Sequence, residues 1–228
     1  MRSGLGAHKF MITQLPLLLA SASPRRRQLI AMLNIPFTVV VAPTDEDAIQ
    51  ANYQGPIEGL AQWTAAHKAL MTLTLPDTTN RLIITADTTV LFNGQVLNKP
   101  RDKAHARELL LSLRGHWHQV VTGIVVSTMI DSKLHLRSKS CTTPVLMRNY
   151  SEEEVDAYIA TGDPLDKAGA YGIQHLHFQP TERINGCYLN VVGLPLRALV
   201  DLLAEFNVYP ATSGIKNTVC PWSEKCLI

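Results

Sequence analysis

The 228-residue sequence predicts an α/β protein built on a mixed β-sheet, and three patterns carry that expectation. Short apolar runs of strand length alternate with amphipathic helical stretches through the first half of the chain. Two long strand-rich segments then lie back to back in the middle, with Asp131-Ser132 as the turn between them. Hydrophobic residues at 46% against 18% charged residues supply enough apolar surface for a buried core and exclude a disordered chain.

The elements follow in order. Leu17 to Ala20 is a short apolar run suited to a buried strand. Ser23 can cap a helix that begins at Pro24, where a missing N–H costs nothing. Leu29, Ile30 and Leu33 line one face of that helix before Asn34 and Pro36 end it. Phe37 to Val41 reads as the next strand. Leu60, Trp63, His67, Leu70 and Leu73 recur at spacings of three and four, so a second helix is expected with most of this stripe in the core and Trp63 as packing. Leu82 to Ala86 is a strand that delivers Asp87 at its C-terminal end, and Asn93-Gly94 is a hairpin turn.

A helix over Asp102 to Leu113 ends at Gly115, and strands follow over Gln119–Met129 and Leu134–Met147. Ser151 with Glu154 forms a capping box for a helix through Ile159, and the sequence Thr161 to Pro164 breaks it. Tyr188 to Val192 reads as a last strand, and Pro195 opens a helix through Leu203. The organisation is therefore an N-terminal extension over 1–16, one domain over 17–206 and a C-terminal tail over 207–228.

Bulk properties narrow the function classes. A formal net charge of +2, from 21 Lys and Arg against 19 Asp and Glu, gives no field for a nucleic-acid partner. No apolar stretch reaches the roughly 20 residues that span a bilayer, so no membrane partner is expected. Leu17 to Ala22 resembles the end of a secretory signal, but cleavage there would remove a strand and the cap of the next helix. Four scattered cysteines, Cys141, Cys187, Cys220 and Cys226, read as reduced thiols of a cytoplasmic protein.

The residues that can carry chemistry fall into a few groups. Ser21-Ala22-Ser23-Pro24-Arg25-Arg26 joins a strand to a helix N-terminus, where free N–H groups and the helix dipole favour a phosphate. Arginine forks add to that pull, although a solvated charge run is the plainer alternative. Asp87 after an apolar strand, and Glu46 within Asp45-Glu46-Asp47, can place carboxylates at one crevice and hold Mg²⁺ against a phosphate. Asp45 and Asp47 read as solvated. Lys68, Lys99 and Lys167 matter only if the fold gathers them round Asp87. The small, polar stretch from Asp163 to Gln174 allows close backbone approach, and the Gln174 amide suits a base edge. His116 and His118 would share a strand face, without a third metal ligand nearby.

Together these strings resemble the Maf family of nucleotide pyrophosphatases. The resemblance runs from about Leu17 to Phe206 and is carried by Leu19 to Arg26, Ala86-Asp87-Thr88, Leu97 to Pro100, Val121-Thr122-Gly123, Asp166 to Gln174 and Asn190 to Leu196. It implies an elongated α/β fold with two lobes around a central cleft, as in Maf and ITPase-like proteins, commonly assembled as a homodimer. The implied reaction is hydrolysis of a nucleoside triphosphate, dTTP or UTP, to the monophosphate and pyrophosphate with Mg²⁺ or Mn²⁺.

On this resemblance Asp87 matches the catalytic acid, Glu46 the second acid, and Lys68 and Lys99 the cleft lysines, with Glu46 and Asp87 on the metal. Ser21, Ser23, Arg25, Arg26, Thr88, Lys167 and Gln174 would contact substrate; Arg25 matches a substrate-contacting arginine, and Thr88 and Gln174 match residues that distinguish the dTTP/UTP branch. One departure stands out. His175-Leu176-His177-Phe178-Gln179-Pro180 replaces the glycines that usually follow Gln174. The alternatives are a nucleotide-binding regulator or septum-associated interaction protein without turnover, and a pyrophosphatase for modified purines such as 7-methyl-GTP.

Overall fold

A computed structural model describes residues 15–210. Most of the expected N-terminal extension and C-terminal tail lies outside the described residues. The strands among them are β1 (Leu17–Ala20), β2 (Phe37–Val40), β3 (Leu82–Phe92), β4 (Gln95–Leu97), β5 (Trp117–Ile130), β6 (Lys133–Met147) and β7 (Thr181–Ile184). The α-helices are α1 (Pro24–Ala31), α2 (Glu46–Ala51), α3 (Leu60–Leu73), α4 (Lys103–Leu113), α5 (Glu152–Ala160), α6 (Tyr188–Val192) and α7 (Leu196–Ala204). The sheet runs β2-β1-β3-β5-β6-β7, parallel across β2, β1 and β3 and antiparallel beyond, which is the expected mixed α/β architecture. Among the described residues no helix is long and apolar enough to cross a membrane.

Local chemistry fixes the helix starts. The Ser23 hydroxyl accepts from the Arg26 N–H with Pro24 in the first turn, and Ser151 with Glu154 forms a complete capping box. The hairpin between β3 and β4 turns on Asn93 and Gly94, both at positive φ.

The central strand sets up the site. β5 pairs with β3 from Ile83 to Leu91 along one edge. On the other edge β1 covers only Leu82–Ile84 and β4 only Val90–Phe92. Thr85 to Thr89 therefore have no strand neighbour on that side, and the sheet is open there.

Alternation along β3 sends Thr85, Asp87 and Leu91 toward α3, and Ile84, Ala86 and Val90 toward the main cores. One core lies between the sheet, α1, α6 and α7; a second joins β5 and β6 to α4 and α5.

Four expectations are corrected. Tyr188–Val192 is a helix, not a strand. Its aromatic and β-branched residues favour a strand locally, but Gly193 at φ 120° ends a helical turn and accepts its closing geometry. Asp87 lies in the middle of an 11-residue strand, not at a strand end, because β5 continues to pair past Ala86.

The buried face of α3 is also different: Leu60 of the expected stripe is buried, but the rest of the face is Ala61, Thr64, Ala65, Lys68, Ala69 and Thr72, while Trp63 and Leu70 are exposed. Small residues are required there because the helix backbone lies directly on Gly123 of β5. Finally, His116 precedes β5 and is exposed, so it does not share a strand face with the buried His118.

Candidate active site

The gap beside β3 opens into a cleft of about 770 Å³ lined by residues of β1, α1, α2, α3, β3 and the 166–174 segment. Ser21, Ser23, Arg25, Arg26, Glu46, Lys68, Asp87, Thr88, Lys99, Lys167 and Gln174 all line it. The volume is in the range of small-ligand sites. Residues separated by more than 150 positions thus meet around one opening.

At its floor, Lys68 reaches from α3 to two acids. Its Nζ lies 2.6 Å from Asp87 Oδ1 and 2.7 Å from Glu46 Oε1. Asp87 and Lys68 are both buried, and Glu46 is half-buried at the first turn of α2. Asp45 caps that helix by accepting from the Ala48 N–H at 3.0 Å, which aims Glu46 into the cleft. Burial alone would raise the Glu46 pKa, but the charge and hydrogen bond of Lys68, with Lys99 and Arg26 nearby, bring it below the usual carboxylate value.

Each carboxylate spends one oxygen on Lys68. Among the described residues neither second oxygen has a hydrogen-bond partner, and no cluster of three or more His, Cys, Asp or Glu is placed to cage a metal. Two carboxylates beside a phosphate site are the donor set Mg²⁺ ordinarily takes, because it keeps the remaining positions for water and phosphate oxygens. The residues present fit such an ion.

The wall opposite is the start of α1. Arg26 turns inward, donating from Nε to the Gly193 carbonyl at 2.9 Å and from a terminal nitrogen to Thr88 Oγ1 at 3.1 Å. Burial pulls its pKa down, against the opposing charges of Asp87 and Glu46. Thr88 Oγ1 is also 2.9 Å from Thr122 Oγ1, and Thr122 donates to the Asn190 carbonyl at 3.1 Å. A chain of hydrogen bonds therefore links α1, β3, β5 and α6 behind the floor of the cleft. Arg25 stays in the opening, with a guanidinium nitrogen 3.5 Å from Asp166 Oδ2 on the facing segment.

Lys167 has its Nζ 2.5 Å from the Asp163 carbonyl, 2.9 Å from Asp163 Oδ1 and 2.6 Å from Asp166 Oδ1. Lys99 and Gln174 are exposed at the rim. Asp47 and Gln50 of α2 also line the cleft. The residues that sequence reasoning missed are those behind it. Thr122 and Asn190 lie in strings already noted, yet nothing in spacing pairs a β5 threonine with a carbonyl 68 residues away. His118 was noted only as a weak metal candidate; it is buried behind the cleft and hydrogen-bonded through Nε2 at 2.7 Å to the hydroxyl of Tyr171, which lines the cleft.

The family model described as Maf-like protein matches residues 16–206. A protein of Thermomicrobium roseum named dTTP/UTP pyrophosphatase is 39% identical over 214 residues, covering 92% of each chain. Proteins with the same name from Escherichia coli O157:H7 and Clostridium botulinum are 42% and 39% identical, covering 84% of this chain and 93% and 97% of their own. With the match spanning the sheet, the open edge of β3 and every residue of the cleft, the chain belongs to the Maf family.

Proposed function

We propose that this protein is a nucleoside triphosphate pyrophosphatase that hydrolyses dTTP and UTP to the monophosphate and pyrophosphate. The single observation behind the reading is the Lys68 ammonium held between Asp87 and Glu46 at the floor of the cleft, facing the N-terminus of α1. The names of the Thermomicrobium, Escherichia and Clostridium relatives supply the substrate.

In this reading the triphosphate lies along the cleft with its charge offset by Arg25 and Lys99 at the opening and by the helix start. Lys68 holds the Asp87 carboxylate through Oδ1, which leaves Oδ2 to orient the attacking water and take its proton. Glu46 and Asp87 would hold a divalent cation, Mg²⁺ or Mn²⁺, whose charge withdraws electron density from the phosphoryl oxygens. Water adds to the α-phosphorus, the bond to the bridging α–β oxygen breaks, and pyrophosphate leaves with that oxygen. Arg26, held by Gly193 and Thr88, keeps a fixed positive charge behind the reacting centre.

Gln174 at the rim offers one donor and one acceptor to the O4 and N3–H edge that uracil and thymine share. The scattered cysteines support a cytoplasmic setting, and the family resemblance supports a homodimer. The test is pyrophosphate release from dTTP, UTP, CTP, GTP and 7-methyl-GTP, with Mg²⁺, with Mn²⁺ and in excess EDTA. Release from dTTP and UTP that stops in EDTA and returns with metal is expected. Full activity of verified metal-free protein removes the cation from the reading; GTP or 7-methyl-GTP as the best substrate overturns the base assignment.

A further inference from the structure

We infer that Tyr158 and Asp163, outside the cleft, are positioning residues that set the base preference of the site by fixing the backbone that carries Gln174. The inference rests on the proposed pyrimidine preference.

Tyr158 is buried on α5 and its hydroxyl is used twice. It donates to Asp163 Oδ2 at 2.6 Å and accepts the Gly172 N–H at 2.9 Å. Burial and the neighbouring Asp163 carboxylate raise the Tyr158 pKa, so the hydroxyl remains a donor across the working pH range. The other Asp163 oxygen accepts from Lys167, whose three N–H donors are matched by three acceptors within the same turn.

Gly172 is packed against this bracket: a Cβ there would lie 2.8 Å from Lys167 Cε and 3.2 Å from Asp163 Oδ2. Two residues on, Gln174 projects from a turn closed by the His175 N–H on the Gly172 carbonyl at 3.0 Å. The His175 ring meets the Tyr158 ring edge to face at 4.7 Å, and Phe178 stacks on the same ring at 4.3 Å. The turn is thus tied to one tyrosine at both ends.

This arrangement gives the bulky sequence after Gln174 a physical role. Where glycines would leave the turn loose, His175 and Phe178 clamp it onto Tyr158. The distance from the phosphate end of the cleft to the Gln174 backbone then decides the size of base that reaches the amide. A fixed short distance admits a pyrimidine; a turn free to withdraw admits a purine as well.

Tyr158→Phe keeps the ring contacts and removes both hydrogen bonds. The expected result is a dTTP to GTP ratio of kcat/KM that falls by about tenfold, through a raised KM for dTTP, with kcat for dTTP within about threefold. Asp163→Asn, which retains the shape of the turn, shifts the ratio the same way and serves if Tyr158→Phe folds poorly. A purely structural role instead lowers Tm and active fraction equally for all nucleotides, leaving the ratios fixed, and that outcome overturns the inference. Gln174→Ala is measured beside them. If it flattens the ratios while both bracket variants do not, the positioning role is wrong and the base reading stands. If Gln174→Ala itself leaves the ratios unchanged, the base reading fails and the inference with it.

Discussion

Lys68 places its ammonium 2.6 Å from Asp87 Oδ1 and in the same position serves Glu46 at 2.7 Å, so one buried cation bridges the two acids. Removing it leaves two carboxylates facing each other in a half-closed cleft. Lys68→Met is expected to lower turnover by about 10²-fold. It also changes the pH dependence. Burial raises the Glu46 pKa and Lys68 overcomes that effect, giving a net lowering. Glu46 therefore contributes stability that is complete above its unfolded value of about 4.3 and is lost as pH falls through the lower folded value. Without Lys68 the burial effect dominates, and the acid limb of both activity and stability moves to higher pH. Activity and urea midpoints from pH 4 to 8 test this; an unmoved acid limb disconnects Lys68 from Glu46.

Asp87→Asn separates charge from shape. The amide oxygen can still accept from Lys68, and Lys68 retains Glu46 as its counter-charge, so the fold and Tm should be preserved. Turnover should fall by about 10²-fold or more, because the amide can neither take a proton nor supply an anionic ligand. Near-normal turnover in a folded variant would move the catalytic role to Glu46.

His118 gives the fold an acid weakness apart from the site. Burial depresses its pKa from 6.5 to about 4. The unfolded chain binds a proton there below about pH 6.5 while the folded chain does not, so stability falls as pH drops through that window. The loss amounts to about 3 kcal/mol by pH 4, an order-of-magnitude figure from about 1.4 kcal/mol per pH unit. His118→Gln, unable to titrate, should show a flatter fall in urea midpoint between pH 7 and pH 4.5. Parallel curves for the two proteins would sink the assignment.

Much of this molecule was legible in its sequence, and the failures share a cause. Strand β1, the Ser23 cap, the Asn93-Gly94 hairpin and the Ser151 box are local, and local chemistry announces them. The cleft residues were found because they sit in a few compact strings. What the sequence hid was contact over distance.

The apolar stripe of α3 pointed to Leu60, Trp63 and Leu70; Leu60 is buried, but beyond it the helix buries alanines, threonines and Lys68, and its backbone lies close on Gly123 of the sheet. Asp87 sits mid-strand because β5 pairs past it, and beside an open edge because β1 and β4 stop short, a property of four strands together. The bond from Arg26 to Thr88 joins positions 62 apart, and no periodicity encodes it.

Gly123 ties that hidden packing to the chemistry. It stands opposite Asp87 in the β3–β5 ladder, and a Cβ there would lie 2.3 Å from Gln62 Cα, 2.4 Å from Gln62 N and 2.6 Å from the Ala61 carbonyl carbon. These are backbone atoms of α3, so no rotamer change relieves the clash, and ordinary carbon contacts need about 3.5 Å or more. Gly123→Ala must push α3 away from the sheet by about 1 Å, at an overpacking cost of about 1–3 kcal/mol. Lys68 lies further along the same helix and is drawn off Asp87 by the same movement.

A displacement of that size at a reacting centre is worth up to about 10²-fold, so kcat should fall at temperatures where the variant remains fully folded. Gly94→Ala is the control. Its φ of 75° makes alanine costly, but no atom lies within 4 Å of the added Cβ and it sits in the distal hairpin turn, so Tm should drop while kcat holds. Thermal melts with turnover at 20 °C decide the matter. A Gly123→Ala protein with normal Tm and kcat would show that α3 does not need its close seat on the sheet to deliver Lys68.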